Sequence, residues 1–143
     1  MAVLRVWSAF ELESNGVVHR GGSKSAPVEV TVDAVVSDQQ FTLATATSQT
    51  VWTSASPPTN FDYFWLLSDQ ALKLELTVDR GGEVGLEEIV FVHPANKPFQ
   101  LHDDAALALY SGTLSGGTAD VIDEIVIRNE SGTTANVRAV LVT

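Results

Sequence analysis

The sequence predicts an all-β fold, a single antiparallel β-sandwich or jelly-roll-like domain of about eight to ten strands covering residues 1–143. Three observations point there. Apolar and polar residues alternate with period two in several segments. Turn-forming pairs rich in Gly, Pro and Asn recur about every 8 to 15 residues. No long helical crossover of the kind parallel βαβ units require interrupts them.

In the first segment Leu4, Val6, Phe10 and Leu12 share one parity, and Arg5, Trp7 and Glu11 share the other. Val28, Val30 and Val32 alternate with Glu29, Thr31 and Asp33, and Leu72, Leu74, Leu76 and Val78 alternate with Lys73, Glu75, Thr77 and Asp79. Each such run describes a strand with one face in the core and one in water. The stretches from Phe61 to Leu67 and from Ile89 to Val92 are apolar on both parities, as in central strands or strands covered by a neighbouring subunit. Ile122 to Arg128 and Val137 to Val142 read as a closing hairpin, turned at Asn129-Glu130-Ser131-Gly132-Thr133-Thr134, where Asn129 and Gly132 tolerate positive φ.

Further turns are expected at Asn15-Gly16, Gly21-Gly22, Pro57-Pro58, Gly81-Gly82, Pro94-Ala95-Asn96 and Gly116-Gly117. Asp103 to Tyr110 is the best helix candidate, with a strand over Ala106 to Tyr110 as its equal alternative. From Thr42 to Thr59 the chain is mostly Thr, Ser and Ala, with Leu43, Val51 and Trp52 as its large apolar groups. Thr favours strands but buries little area, so this segment reads as an edge strand followed by an exposed loop through Pro57-Pro58. Such a segment is suited to docking on something else.

Composition narrows the function classes. Eighteen acidic against eight basic residues give a net charge of −10 and a sequence pI near 4.5. That field repels phosphate backbones and anionic bilayers, so neither nucleic acid nor membrane is an expected partner. The absence of cysteine removes disulfides and thiolate metal sites and fits folding in a reducing cytosol. The alternation begins at Met1, without the charged and apolar regions of a signal peptide, and no apolar run reaches the roughly 20 residues of a membrane span.

Chemistry-bearing constellations are sparse. His93 and the run His102-Asp103-Asp104 hold metal-ligating atoms, but no strand-compatible i, i+2 pair joins His93, and solvated loop histidines explain them more simply. The acid pairs Glu87-Glu88, Asp103-Asp104 and Asp123-Glu124 are neighbours in sequence, and neighbours in a strand face opposite ways. They therefore read as surface acids, with calcium as a further use that no Asp-x-Asp-x-Asp-Gly loop specifies. No Gly-x-Ser-x-Gly elbow and no Gly-x-Gly-x-x-Gly phosphate loop is present. No enzyme activity, cofactor or metal is expected.

The aromatics carry more information. Trp7, opposite the core parity beside Arg5, and Trp52, in the Thr-rich segment, are candidates for an exposed interface or a sugar-stacking platform. With Pro57, Pro58 and Phe61 they form the expected interface set: Arg5, Trp7, Trp52, Pro57, Pro58 and Phe61.

Over residues 61–143 the chain carries Tyr63-Phe64-Trp65-Leu66-Leu67-Ser68-Asp69, then Leu72 to Asp79, Pro98-Phe99-Gln100-Leu101, and the closing phrase Ile125 to Arg138. This style, and the terminal I-x-N-x-S-G-T-x-A-x-V phrase, resembles small structural proteins of tailed bacteriophage virions. The resemblance implies a β-sandwich virion component, either a capsid decoration protein or a tail or fibre accessory. It implies a homotrimer seated on major capsid protein or another virion protein, folded in the host cytoplasm. It attaches no functional residue to any position. Decoration ranks ahead of a tail role because no coiled-coil heptads accompany the domain. The alternatives are a carbohydrate-binding sandwich using Trp7, Trp52, Trp65 or Tyr110, and a hydrolase within an unfamiliar jelly roll.

Overall fold

A computed structural model describes the backbone of residues 2–14, 17–32, 35–79, 86–101 and 121–143, and the side chains of Arg5 and residues 37–79, 88–101 and 121–143. The chain divides into two compact units, Met1–Ala34 and Val35–Thr143. The second unit holds the two four-stranded sheets of the sandwich, and the first is a two-stranded hairpin.

In the first unit β1 (Ala2–Ser14) pairs antiparallel with β2 (Val17–Val32), from Ser14 opposite Val17 to Ala2 opposite Val32. The register shifts between Val6↔Val28 and Ser8↔Ser23, so residues 24–27 lie opposite Trp7 alone. Gly21 and Gly22, expected as a turn, sit inside β2 opposite Phe10 and Ala9. Glycine within a strand commonly flanks such a bulge, and Pro27 is tolerated there because a bulge leaves ladder positions unpaired.

In the second unit eight strands form two four-stranded sheets: β3 (Val35–Leu43), β4 (Thr47–Thr53), β5 (Tyr63–Ser68), β6 (Leu72–Asp79), β7 (Leu86–His93), β8 (Phe99–Leu101), β9 (Val121–Asn129) and β10 (Ala135–Val142). Sheet I has the order β3-β10-β5-β8 and sheet II the order β4-β9-β6-β7, with every neighbouring pair antiparallel. The strands pair from the outside inwards, β3 with β10, β4 with β9, β5 with β8 and β6 with β7. This is a long antiparallel ribbon rolled over two sheets, the jelly-roll winding.

The core lies between the sheets. Leu72, Leu74, Leu76 and Val78 of β6 are buried while Lys73, Glu75, Thr77 and Asp79 are not, as the alternation predicts. The three leucines meet Phe64 and Leu66 of β5, Ile122, Ile125 and Ile127 of β9, and Val137 and Leu141 of β10. An aromatic chain crosses this interior: Trp52 meets Phe61 edge-on at 4.9 Å, and Phe64 reaches Phe91 through Phe99, at 6.3 and 5.5 Å.

Two sequence readings are narrowed or corrected. β5 is central, between β10 and β8, as expected, but β7 is a border strand of sheet II. Its Ile89 and Phe91 pack on the core, whereas Val90 is 43% and Val92 72% exposed. β9 and β10 are not a hairpin. They belong to different sheets, so Glu130–Thr134 forms an arch between sheets rather than a turn within one. The connection from β3 to β4 crosses alongside it, because β3 pairs with β10 and β4 with β9.

Asn129 locks these two crossings. Its side chain is fully buried; Nδ2 donates to the carbonyls of Leu43 (2.8 Å) and Thr133 (2.7 Å), and Oδ1 accepts from the Ser131 N–H (3.0 Å) and hydroxyl (2.7 Å). Both amide hydrogens and both carbonyl lone pairs are used, so the group is satisfied without water. Its own carbonyl accepts from the Ala46 N–H at 2.7 Å. Gly132 supplies the positive φ of the arch (+83°), as expected, and Asn129 contributes side-chain bonds instead of a left-handed backbone. In the neighbouring crossing Ala46 takes φ 59°, held by its bond to Asn129 and by Thr47 Oγ1, which donates to Ala44 at 2.7 Å.

Candidate functional site

The Thr-rich segment that the sequence marks for docking becomes β4 and the loop after it. β4 is a border strand of sheet II, bonded among the described residues to β9 alone. Thr47, Ser48, Gln49 and Thr50 are all exposed. Ser and Thr pack little area here, so the strand is held by hydrogen bonds and by one large side chain at its far end.

That side chain is Trp52. The register slips between Thr50, opposite Val126, and Trp52, opposite Ile125, which leaves Val51 as a bulge. Without the bulge Trp52 would share the outward side of Thr50; with it, the indole turns into the core and is only 5% exposed. Phe61 is 1% exposed against it. Trp52 and Phe61, expected in an interface, are therefore core residues. Their role is to hold the surface above them: Trp52 Nε1 donates to the Pro58 carbonyl at 3.0 Å, fixing the Pro57-Pro58 turn, which contains a cis peptide bond. Pro57 is exposed and Pro58 half-buried.

Polar bonds to β9 complete the platform. The Ser54 N–H donates to the Asp123 carbonyl (2.8 Å), its hydroxyl to Asp123 Oδ1 (2.7 Å), and Thr50 Oγ1 to Glu124 Oε1 (3.2 Å). β9 bulges here as well, between the pairs Thr77↔Glu124 and Val78↔Ile122. Ile122 and Ile125 both face the core in consequence, and the acids between them each take a separate hydroxyl partner from the β4 side. Asp123 and Glu124 tie the border strand down rather than share a reactive centre. The β9 bulge is signalled by two consecutive acids, since an unbroken ladder would turn Asp123 inward with Ile125 and Ile127; the β4 bulge has no comparable signal.

The outer face of sheet II continues as rows of paired positions: Val92, Lys73 and Arg128 in one, Val90, Glu75 and Val126 in the next. The Glu75 side chain, 12% exposed, lies 3.1 Å from Arg128 Nε and 3.3 Å from Lys73 Nζ. Burial pushes its carboxyl up, but the hydrogen bonds and charges of Arg128 and Lys73 outweigh this and leave it below the ordinary 4.5.

Among the other sequence candidates, Arg5 is exposed. The side chains of Trp7, Glu87, His102, Asp103, Asp104 and Tyr110, and the turns at Asn15-Gly16, Gly81-Gly82 and Gly116-Gly117, lie outside the described residues, as does the Asp103 to Tyr110 helix candidate. His93 is not a solvated loop residue. It closes β7, 7% exposed, edge-on to Phe99 at 5.7 Å, with Nε2 2.7 Å from the Lys97 carbonyl. Because a carbonyl oxygen can only accept, Nε2 is the donor in that bond. Among the described residues no three His, Asp or Glu side chains gather as a metal site.

Comparison with known protein families, curated proteins and solved structures finds no match.

Proposed function

We propose that this chain is a non-catalytic structural protein of a tailed-phage virion, a capsid decoration protein that docks on the major capsid lattice through the β4 border of sheet II. The observation that carries this reading is the β4 strand itself: four consecutive exposed Ser, Thr and Gln residues on a border strand, beside a Pro57-Pro58 turn pinned by a buried Trp. Exposed polar backbone on a sheet border accepts an added strand from a partner, and a pinned platform loses little freedom on binding.

Two further points support it. The closing phrase that resembles virion proteins, Ile127 to Val137, supplies the arch and the Asn129 lock that hold β4 beside β9. The jelly roll is also a winding used by viral capsid domains, an analogy of fold that does not by itself assign function. In this reading the protein folds in the host cytoplasm, resides in the virion and acts as a homotrimer, gaining avidity from contacts repeated over the shell.

Co-sedimentation with undecorated phage heads tests the proposal: saturable binding supports it, and protein left wholly in the supernatant refutes it. Light scattering tests the assembly, since a monomer of 15.3 kDa at micromolar concentration would contradict the trimer.

A further inference from the structure

We infer that the outer face of sheet I carries a binding site for a neutral oligosaccharide, independent of the β4 border. A groove of about 500 Å³ opens where β3, β10 and the end of β5 meet the turn at Asn96. Its size lies within the roughly 300–1,000 Å³ of small-molecule sites. Leu67 provides an apolar floor, and Gln40, Asp69, Asn96, Asn136 and Arg138 surround it. Four of these five are planar amide or carboxylate groups and the fifth is a planar guanidinium. Such groups present paired donors or acceptors at the spacing that adjacent hydroxyls can bridge.

The polar groups are set in place before any ligand arrives. Asp69 Oδ1 accepts from the Asn136 N–H at 2.8 Å and Oδ2 from Asn136 Nδ2, while the Asp69 N–H donates to the Asn136 carbonyl at 3.2 Å. Each carboxylate oxygen keeps acceptor capacity for a hydroxyl. Arg138 is held flat by Asp38, through Nε to Oδ1 at 3.0 Å and Nη2 to Oδ2 at 2.8 Å. The Asn96 N–H donates to the Ser68 carbonyl at 2.7 Å, fixing the turn at φ 58°.

Charge then selects the ligand class. Arg138 is already neutralised by Asp38, and Asp69 adds a carboxylate on a chain of net charge −10, so the groove disfavours anions. A purely apolar ligand would desolvate Asp69 and the amides without replacing their hydrogen bonds. A neutral polyhydroxylated ligand satisfies them. Half-exposed Trp65, two residues before Leu67 on the same side of β5, extends the floor with an aromatic surface on which the C–H face of a sugar ring can stack.

The test is an array of neutral and anionic oligosaccharides probed with the full-length protein, with each hit titrated by calorimetry. Saturable binding of a neutral glycan is expected, weakened at least tenfold by Asp69→Ala and measurably by Gln40→Ala, an exposed position on the border strand β3 whose replacement leaves the core untouched. Gln40→Ala decides the matter if Asp69→Ala fails to fold. An empty array, binding confined to sialylated or sulfated glycans, or affinity unchanged in both variants overturns the inference. Co-sedimentation with phage heads reads the β4 border separately, so either proposal can fail alone.

Discussion

Asn129 Nδ2 and the carbonyl of Leu43 are 2.8 Å apart although 86 positions separate them in the chain. The bond joins the two crossings between sheets at one end of the roll, and the other three hydrogen-bonding positions of the same buried amide are taken by Ser131 and Thr133. One side chain thus closes the last arch of the fold onto the first.

Asn129→Ala strands a buried Leu43 carbonyl and releases the arch, and should cost about 3 kcal/mol. Asn129→Asp should cost more at neutral pH, because an ionised carboxylate cannot donate to either carbonyl and carries a buried charge. Urea unfolding at pH 7 orders the three proteins, with wild type the most stable and the Asp variant the least.

The β6 leucines and the central place of β5 were legible in the sequence because period-two burial is a local property of the strand. The β9–β10 relation was not. A six-residue link rich in Asn, Ser and Gly suits a hairpin turn or an arch equally, and the choice is made by β3 and β4, which occupy the pairing edges that a hairpin would use. The Thr42 to Thr59 segment holds the end of β3, the crossing to the other sheet, the border strand β4 and the loop after it, and Trp52 was misplaced, since one bulged residue at Val51 reverses the facing of everything after it. For β7 the sequence left two alternatives, because a strand apolar on both parities carries no record of what covers its second face; its place at the border removes the central one.

Trp52→Phe keeps most of the buried ring but deletes the indole N–H that holds Pro58. A loss of about 1 kcal/mol is expected, with a larger loss of about 3–5 kcal/mol for Trp52→Ala. Thermal unfolding measures the first effect. If the β4 platform is the docking surface, capsid affinity falls in Trp52→Phe even at temperatures where the variant is fully folded.

Val92 and Leu74 lie on adjacent strands of sheet II but on opposite faces, one 72% exposed and the other fully buried. Val92→Ser should change stability by no more than about 0.5 kcal/mol, whereas Leu74→Ala should cost about 2–5 kcal/mol. Chemical denaturation of the two variants distinguishes this facing from its reverse.

Acid should weaken the outer face of sheet II through Glu75. Its folded-state carboxyl lies below the ordinary 4.5, so its contribution is present above that value and fades as the pH drops through the lower folded value. Glu75→Gln should therefore lose stability at pH 7, and the gap from wild type should narrow as the pH falls through the lowered folded-state value. Urea midpoints measured from pH 7 to pH 3 follow the two curves.

The docking surface is located most directly by hydrogen exchange on the protein bound to undecorated phage heads, compared with the free protein. If a partner strand adds to the β4 border, amides of Thr47–Thr53, and those of Ser56 and Thr59 flanking the two prolines, slow on binding, while those of β10 and β5 in sheet I exchange as before. Unchanged exchange in β4 with protection confined to sheet I would contradict docking through this border.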